Sequence, residues 1–319
     1  MLQGRDYPSV APPSGAFEGA APENHPVIPP LSGWRGTSAE HQYLVCDVFT
    51  STPLAGNQLA VYVDGRSLDS EQMQRMAREM NVAETVFLLP PRQGGDVALR
   101  IFTPTGELPF AGHPVLGTAF VVASALGSST VTLETGAGNI PVALERDENG
   151  RVVFGRMQQP IPEWEPFDRE AELLGAVGVV RSGLPVEVYR IGPIHVYVNL
   201  PTEDDVARLR PDMARLEALG IAANCFTGSG REWKTRMFCP AMGVNEDPAT
   251  GSAAGPLAVH LARHGRIAFG EEITIRQGEE IGRPSVLRAT AYGSGDTIDR
   301  VEVGGNAVIV AGGSYRISV

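Results

Sequence analysis

Residues 114–126, PVLGTAFVVASAL, are apolar on nearly every face of a helix. Such a helix has to be buried on all sides rather than along one stripe. Pro256 to His264 opens a second buried helix. The two can be compared directly, because Gly112-His113-Pro-Val-Leu-Gly-Thr-Ala-Phe lies on Gly251-Ser252-Ala-Ala-Gly-Pro-Leu-Ala-Val without a gap. Each has small residues at its start and an apolar body, and each follows a strand and a loop. The order of elements around them is similar in both halves, which points to an internal duplication. If the halves pack about a pseudo-twofold axis, both helix N-termini can face one central cleft. Two positive dipole ends and their free N–H groups would then converge on one carboxylate-sized anion.

Order is expected from Tyr43-Leu-Val-Cys-Asp-Val-Phe, a strand by its aromatic and β-branched content, followed by a strand from Gln58 to Gly65. Ser70 to Met80 has Met73, Met76, Ala77 and Met80 at helical spacing, with Ser70 or Asp69 as cap and Asn81 as a left-handed stop. Glu84-Thr-Val-Phe-Leu-Leu and Val97 to Thr103 read as strands. Beyond the proline-stiffened Met157-Gln-Gln-Pro-Ile-Pro, strands are expected at 186–190, 195–200, 223–226, 234–238, 273–276 and 301–310, with a helix within 204–219. The division drawn from this is a Pro/Gly-rich tail at 1–40, an N-terminal half at 41–156 that the C-terminal strand can complete, and a C-terminal half at 157–319. The tail holds seven prolines and five glycines with no hydrophobic period, a composition of disorder. It reads as a dispensable segment or an upstream start rather than a functional arm.

Composition removes several classes of function. The net charge of −11 and the pI near 5.1 leave no basic surplus for nucleic acid or membrane surfaces. No apolar run approaches the roughly 18 residues a membrane span needs. Cys46, Cys225 and Cys239 are widely spaced, which suits a reducing cytoplasm and supplies neither a disulfide framework nor a zinc site. The six histidines form no metal-binding pattern, so no metal is expected.

Phosphate is the first candidate for the anion, but Asp247-Pro-Ala-Thr-Gly-Ser-Ala-Ala-Gly lacks the lysine of a P-loop, and neither half shows a G-x-G-x-x-G after a strand. A carboxylate carries one charge and can be held by N–H groups and Ser252. Asp247 reads either as a helix cap or as a site residue. His113, at the matching point of the other helix, reads either as a capping imidazole or as a group that steers a substrate. Glu84 lies between a helix stop and an apolar run; partial burial there would raise its pKa toward that of a general base, while a solvent-facing strand end is the plainer alternative. Neither a G-x-S-x-G elbow nor a cysteine in the helix-leading loops offers a nucleophile.

Asn81-Val-Ala-Glu84-Thr, Ile101-Phe-Thr-Pro-Thr-Gly-Glu-Leu-Pro-Phe-Ala-Gly-His113-Pro and Asp247-Pro-Ala-Thr-Gly-Ser-Ala-Ala together resemble the PhzF family. The likeness continues through 157–162, 224–233, 237–247 and 276–285, and covers essentially everything from Tyr43 onward. It implies an α+β, diaminopimelate-epimerase-like fold: two pseudo-symmetric halves, each an antiparallel sheet curled around a central helix, with the active site in the cleft between them. It also implies cofactor-free conversion of trans-2,3-dihydro-3-hydroxyanthranilate to an enol that becomes a ketone, in a homodimer. On this resemblance Glu84 is the general acid/base, carrying a proton from C3 to C1. His113 and Asp247 hold the amino and hydroxyl groups, and Gly112, Gly251 and Ser252 donate to the substrate carboxylate. Ala83 and Pro248 depart from close relatives beside these groups. The rival readings are a cofactor-independent racemase or epimerase on the same fold, and a non-catalytic carboxylate binder.

Overall fold

The computed structural model describes residues 40–317, so the tail expected at 1–40 lies outside the described residues except for Glu40. The chain first forms β1 (Glu40–Val48), β2 (Asn57–Tyr62), α1 (Ser70–Met80), β3 (Glu84–Leu89), β4 (Val97–Phe102) and β5 (Glu107–Leu108). It continues through α2 (Gly112–Leu126), β6 (Thr130–Thr135), β7 (Gly138–Arg146) and β8 (Val152–Gln159). A second run follows: β9 (Glu163–Pro166), α3 (Glu170–Val177), β10 (Glu187–Arg190), β11 (Ile194–Asn199), α4 (Glu203–Ala207), α5 (Met213–Leu219), β12 (Ala222–Ser229) and β13 (Glu232–Cys239). The last elements are β14 (Val244–Asp247), α6 (Gly251–Arg263), β15 (Ile273–Gln277), β16 (Ser285–Ser294), β17 (Thr297–Gly305) and β18 (Ala307–Arg316).

The strands hydrogen-bond in one mixed sheet whose pairings repeat. From β18 the ladder runs through β1, β2, β3, β4, β6 and β7 to β8, with β2–β3 and β4–β6 parallel and the rest antiparallel. From β17 it runs through β16, β15, β13, β12, β11 and β10 to β9, with β15–β13 and β12–β11 parallel. The two ladders meet where β8 pairs antiparallel with β17. β8 therefore crosses the border drawn at 156/157, and the C-terminal strand β18 lies against β1. The parallel steps are bridged by helices: α1 between β2 and β3, α4 and α5 between β11 and β12, α2 before β6, and α6 before β15.

α2 and α6 form the centre. Twelve residues of each are buried, and the apolar ones, including Val115, Leu116 and Val122 in α2 and Leu257, Val259 and Leu261 in α6, belong to one continuous cluster with the inner faces of both ladders. α1 covers the outside of the first ladder, where Met73 and Met76 join Tyr62, Phe87 and Phe102, and the Tyr62 and Phe87 rings stack at 4.8 Å. α3, α4 and α5 cover the second ladder with Leu173, Val206 and Leu216.

Local rules account for most boundaries. α1 starts in a capping box, with Asp69 accepting from Gln72 N–H, and stops at Asn81 in the left-handed region (φ 52°, ψ 36°). The single helix expected within 204–219 is two short ones: Pro211 interrupts the run, and Asp212 caps α5 afresh by accepting from Arg215 N–H. The strand expected over 301–310 is likewise two, β17 and β18, separated at Asn306. α2 and α6 begin earlier than Pro114 and Pro256. Pro114 sits in a first turn, where the missing N–H is harmless, whereas Pro256 lies inside α6 and removes the donor that would reach the Ser252 carbonyl.

Candidate active site

The first turns of α2 and α6 abut, backbone to backbone. A Cβ on Gly112 would stand 2.5 Å from the Gly251 carbonyl carbon and 2.6 Å from Ser252 N. A Cβ on Gly251 would stand 2.9 Å from His113 N. Only glycine permits this approach. Neither helix has a side-chain cap: the N-cap of α2 is Ala111, and Thr250, the N-cap of α6, makes no capping bond and donates its hydroxyl to Asp247. The N–H groups of both first turns therefore keep their capacity for an acceptor in the cleft.

Glu84 opens β3 immediately beyond the left-handed stop of α1, and its carboxylate is largely buried. Its Oε2 lies 3.0 Å from His113 Nε2, a close carboxylate–imidazole contact at the cavity wall. Asp247, at the end of β14, does not cap α6. Its Oδ2 accepts from the Thr250 hydroxyl at 2.6 Å and its Oδ1 from Asn57 Nδ2 at 2.8 Å. Asn57 Nδ2 also donates to the Ala249 carbonyl at 2.9 Å and touches His113 Nδ1 at 3.2 Å, so one amide ties the first helix to the Asp247 loop. Gln277 completes the frame, donating to the Asp247 carbonyl and Thr250 Oγ1 and accepting from Thr250 N–H.

Burial pushes the Asp247 carboxyl up to about 6, the Glu84 charge adds to this, and His113, Thr250 and Asn57 oppose it. Burial alone would lower the His113 pKa, but Glu84 and Asp247 on its two sides raise it above the ordinary imidazole value.

Glu84, His113, Asp247 and Thr250 line one cavity, with Asn57 and Gln277 behind them. The repeated topology identifies equivalent positions within it. Register pairs Leu59 with Glu84 and His195 with Ala222, so Glu84 and Ala222 correspond. In the same way Thr103 corresponds to Cys239, Leu108 to Asp247, Ala111 to Thr250 and His113 to Ser252; all ten line the cavity. The chemistry is not duplicated with the scaffold. Glu84 faces an alanine across the pseudo-axis, and Asp247 faces a leucine. The cavity lining contains neither Lys nor Arg, so an anion there depends on N–H and hydroxyl donors. Burial raises the Cys239 thiol to about 11, which makes it a wall rather than a nucleophile.

All six residues singled out in the sequence (Glu84, Gly112, His113, Asp247, Gly251 and Ser252) come together here. Asn57, Thr250, Gln277 and His195 were not singled out. Thr250, inside the small-residue loop, and Gln277, within 276–285, lay in segments that carry the resemblance; Asn57 and His195 lie in ordinary strand runs. A second polar group, Glu187, His260 and His264, could hold a metal by proximity, but Arg263 Nη1 lies 2.8 Å from the shared Glu187 oxygen and already supplies the positive charge.

Two ladders closed around two helices, with one cleft at their touching N-termini, define a diaminopimelate-epimerase-like α+β fold. A hydroxyproline epimerase from Agrobacterium vitis shares it, with a TM-score of 0.62 over 87% of this chain and 91% of that one at 14% identity. So does a phenazine biosynthesis protein of the PhzF family from Bacillus anthracis, with a TM-score of 0.75 over 87% and 99% of the two chains at 24% identity. The family profile described as phenazine biosynthesis-like protein matches residues 46–313, and the chain belongs to that PhzC-PhzF family. The trans-2,3-dihydro-3-hydroxyanthranilate isomerase of Pseudomonas aeruginosa is 54% identical over 274 residues, 86% of this chain and 98% of that one.

Proposed function

We propose that this protein is a cofactor-independent isomerase that converts trans-2,3-dihydro-3-hydroxyanthranilate to 6-amino-5-oxocyclohex-2-ene-1-carboxylate by way of its enol. The observation that carries this reading is the asymmetry at Glu84: the equivalent position in the other half is Ala222, so no second acid stands opposite it at the matching site. Racemisation through two bases needs one on each face of the reacting carbon, whereas a suprafacial proton shift needs one. Glu84 takes the C3 proton, the electron pair moves through the ring diene, and the protonated Glu84 returns a proton to C1 on the same face. The enol then becomes the ketone. His113, poised against Glu84, offsets the charge that moves on and off it.

The substrate amine is on a saturated ring carbon and is cationic near neutral pH, so it matches the Asp247 carboxylate. The substrate carboxylate matches the N–H groups at Gly112, Gly251 and Ser252. A division into halves at 156/157, with β18 counted in the first, belongs to the same reading, as do a homodimer and a cytoplasmic setting. The buried free thiols of Cys46, Cys225 and Cys239 suit the last. No helix of the described residues is long and apolar enough to cross a membrane.

Incubation with the dihydro substrate in deuterated water, without added cofactor, should consume its ultraviolet absorbance. Glu84→Gln should abolish this. Wild-type turnover by Glu84→Gln would remove Glu84 from its role, and α-proton exchange of proline or diaminopimelate in its place would establish the racemase.

A further inference from the structure

We infer that His195 is a positioning residue for the substrate carboxylate: its Nε2 hydrogen is donated to Ser252 Oγ, which turns the serine's own hydroxyl hydrogen toward the anion. The inference rests on the reading of the α6 N-terminus as a carboxylate site. His195 is on β11, only 1% exposed, and its Nε2 lies 3.0 Å from Ser252 Oγ. On the far side of the ring, Nδ1 lies 3.4 Å from Asn224 Nδ2, whose orientation is fixed by donation to the Ala222 carbonyl at 3.0 Å. An amide nitrogen can only donate, so Nδ1 accepts and the single hydrogen of the neutral ring is on Nε2. Burial keeps the ring neutral, with its pKa pushed down to about 3.

The tautomer decides the sign of the subsite. With Nε2–H donating, Ser252 Oγ acts as the acceptor and its O–H is left for the cavity. In the opposite tautomer the hydroxyl hydrogen would be spent on the imidazole, and oxygen lone pairs would face the anion. A neutral ring also avoids placing a cation beside the positive end of α6. The relay exists in one half only, because the equivalent of His195 in the first ladder is the apolar Leu59. It links Asn224 through His195, at the cavity wall, to Ser252.

The test is calorimetric binding of two inert ligands. One is 3-hydroxyanthranilate, the aromatic counterpart of the substrate, which has no C3 hydrogen to lose. The other is 2-aminophenol, the same molecule without its carboxylate. His195→Phe should bind 3-hydroxyanthranilate about tenfold more weakly and 2-aminophenol as wild type does. His195→Gln keeps an N–H donor and should regain most of the difference. Ser252→Ala should show a similar loss, and adding His195→Phe to it should cost nothing more. Unchanged binding by His195→Phe, equal losses for both ligands, or full additivity with Ser252→Ala would overturn the relay. Failure of the wild type to bind 3-hydroxyanthranilate would overturn both the carboxylate site and the relay, whereas an active Glu84→Gln touches only the proton carrier.

Discussion

Asp247 is held between opposing demands. Its two oxygens are fixed by Asn57 and Thr250, yet burial and the neighbouring Glu84 raise its pKa to about 6 from an ordinary 3.8. The folded protein retains this proton where the unfolded chain has lost it, so stability is lost as pH rises from about 3.8 to about 6. His113 acts in the same direction at higher pH: its raised pKa contributes stability that is lost as pH climbs from 6.5 through its folded value. Asp247→Asn removes the first loss and reduces the second. Thermal melts should therefore show the variant gaining on wild type between pH 4 and pH 7, by on the order of 2 kcal/mol. Gly112 answers to geometry instead. Gly112→Ala puts a methyl 2.5 Å from the Gly251 backbone, so the helix starts must separate. A lower melting temperature, by about 1–3 kcal/mol of stability, should accompany loss of turnover. The strings around Glu84, Asp247 and the two glycines drew attention to them, but for the two acids local sequence also allowed a strand end and a helix cap, and the family resemblance gave them their roles. Asn57, His195 and Gln277 come from three distant strands, and their meaning exists only once those strands have converged.

Helices with strong local signals were read to the residue or nearly so. α1 has its amphipathic spacing, its capping box and its left-handed Asn81, and its bounds are those expected. Asp69→Ala should cost about 1 kcal/mol in chemical denaturation and leave turnover unchanged, since the cap is exposed and remote from the cleft. α4 and α5 were merged in the sequence reading because the apolar positions on both sides of Pro211 keep a helical period. The proline wins over the period by removing a donor and restricting Arg210. α3 and the strands β5 to β9, β14 and β16 were not anticipated; α3 is only eight residues long, and β7 interleaves Glu145, Pro141 and Asn139 with its buried positions. The early starts of α2 and α6 were hidden by their prolines, which look like openings but lie at the third and sixth helical positions.

At the scale of the molecule, the two ladders are joined at β8–β17 and pinned again by Arg283. This guanidinium pairs with Asp47 at 2.7 Å and donates to the carbonyls of Leu54, Ala55 and Gly56, which lead into β2 and Asn57. Asp47 is 1% exposed, so Arg283→Ala leaves a buried carboxylate without its cation. A loss on the order of 3 kcal/mol in denaturant, with faster amide exchange over residues 50–57, is the expected outcome. The repeat that carries these contacts was legible from two matching helix starts, but the identity of facing positions was not, since it depends on strand register. That register gives Ala222 a particular standing. An acid at one of two equivalent positions and a methyl group at the other give a nearly symmetric cleft a handedness, so a ligand seated on the pseudo-axis meets this acid from one side only.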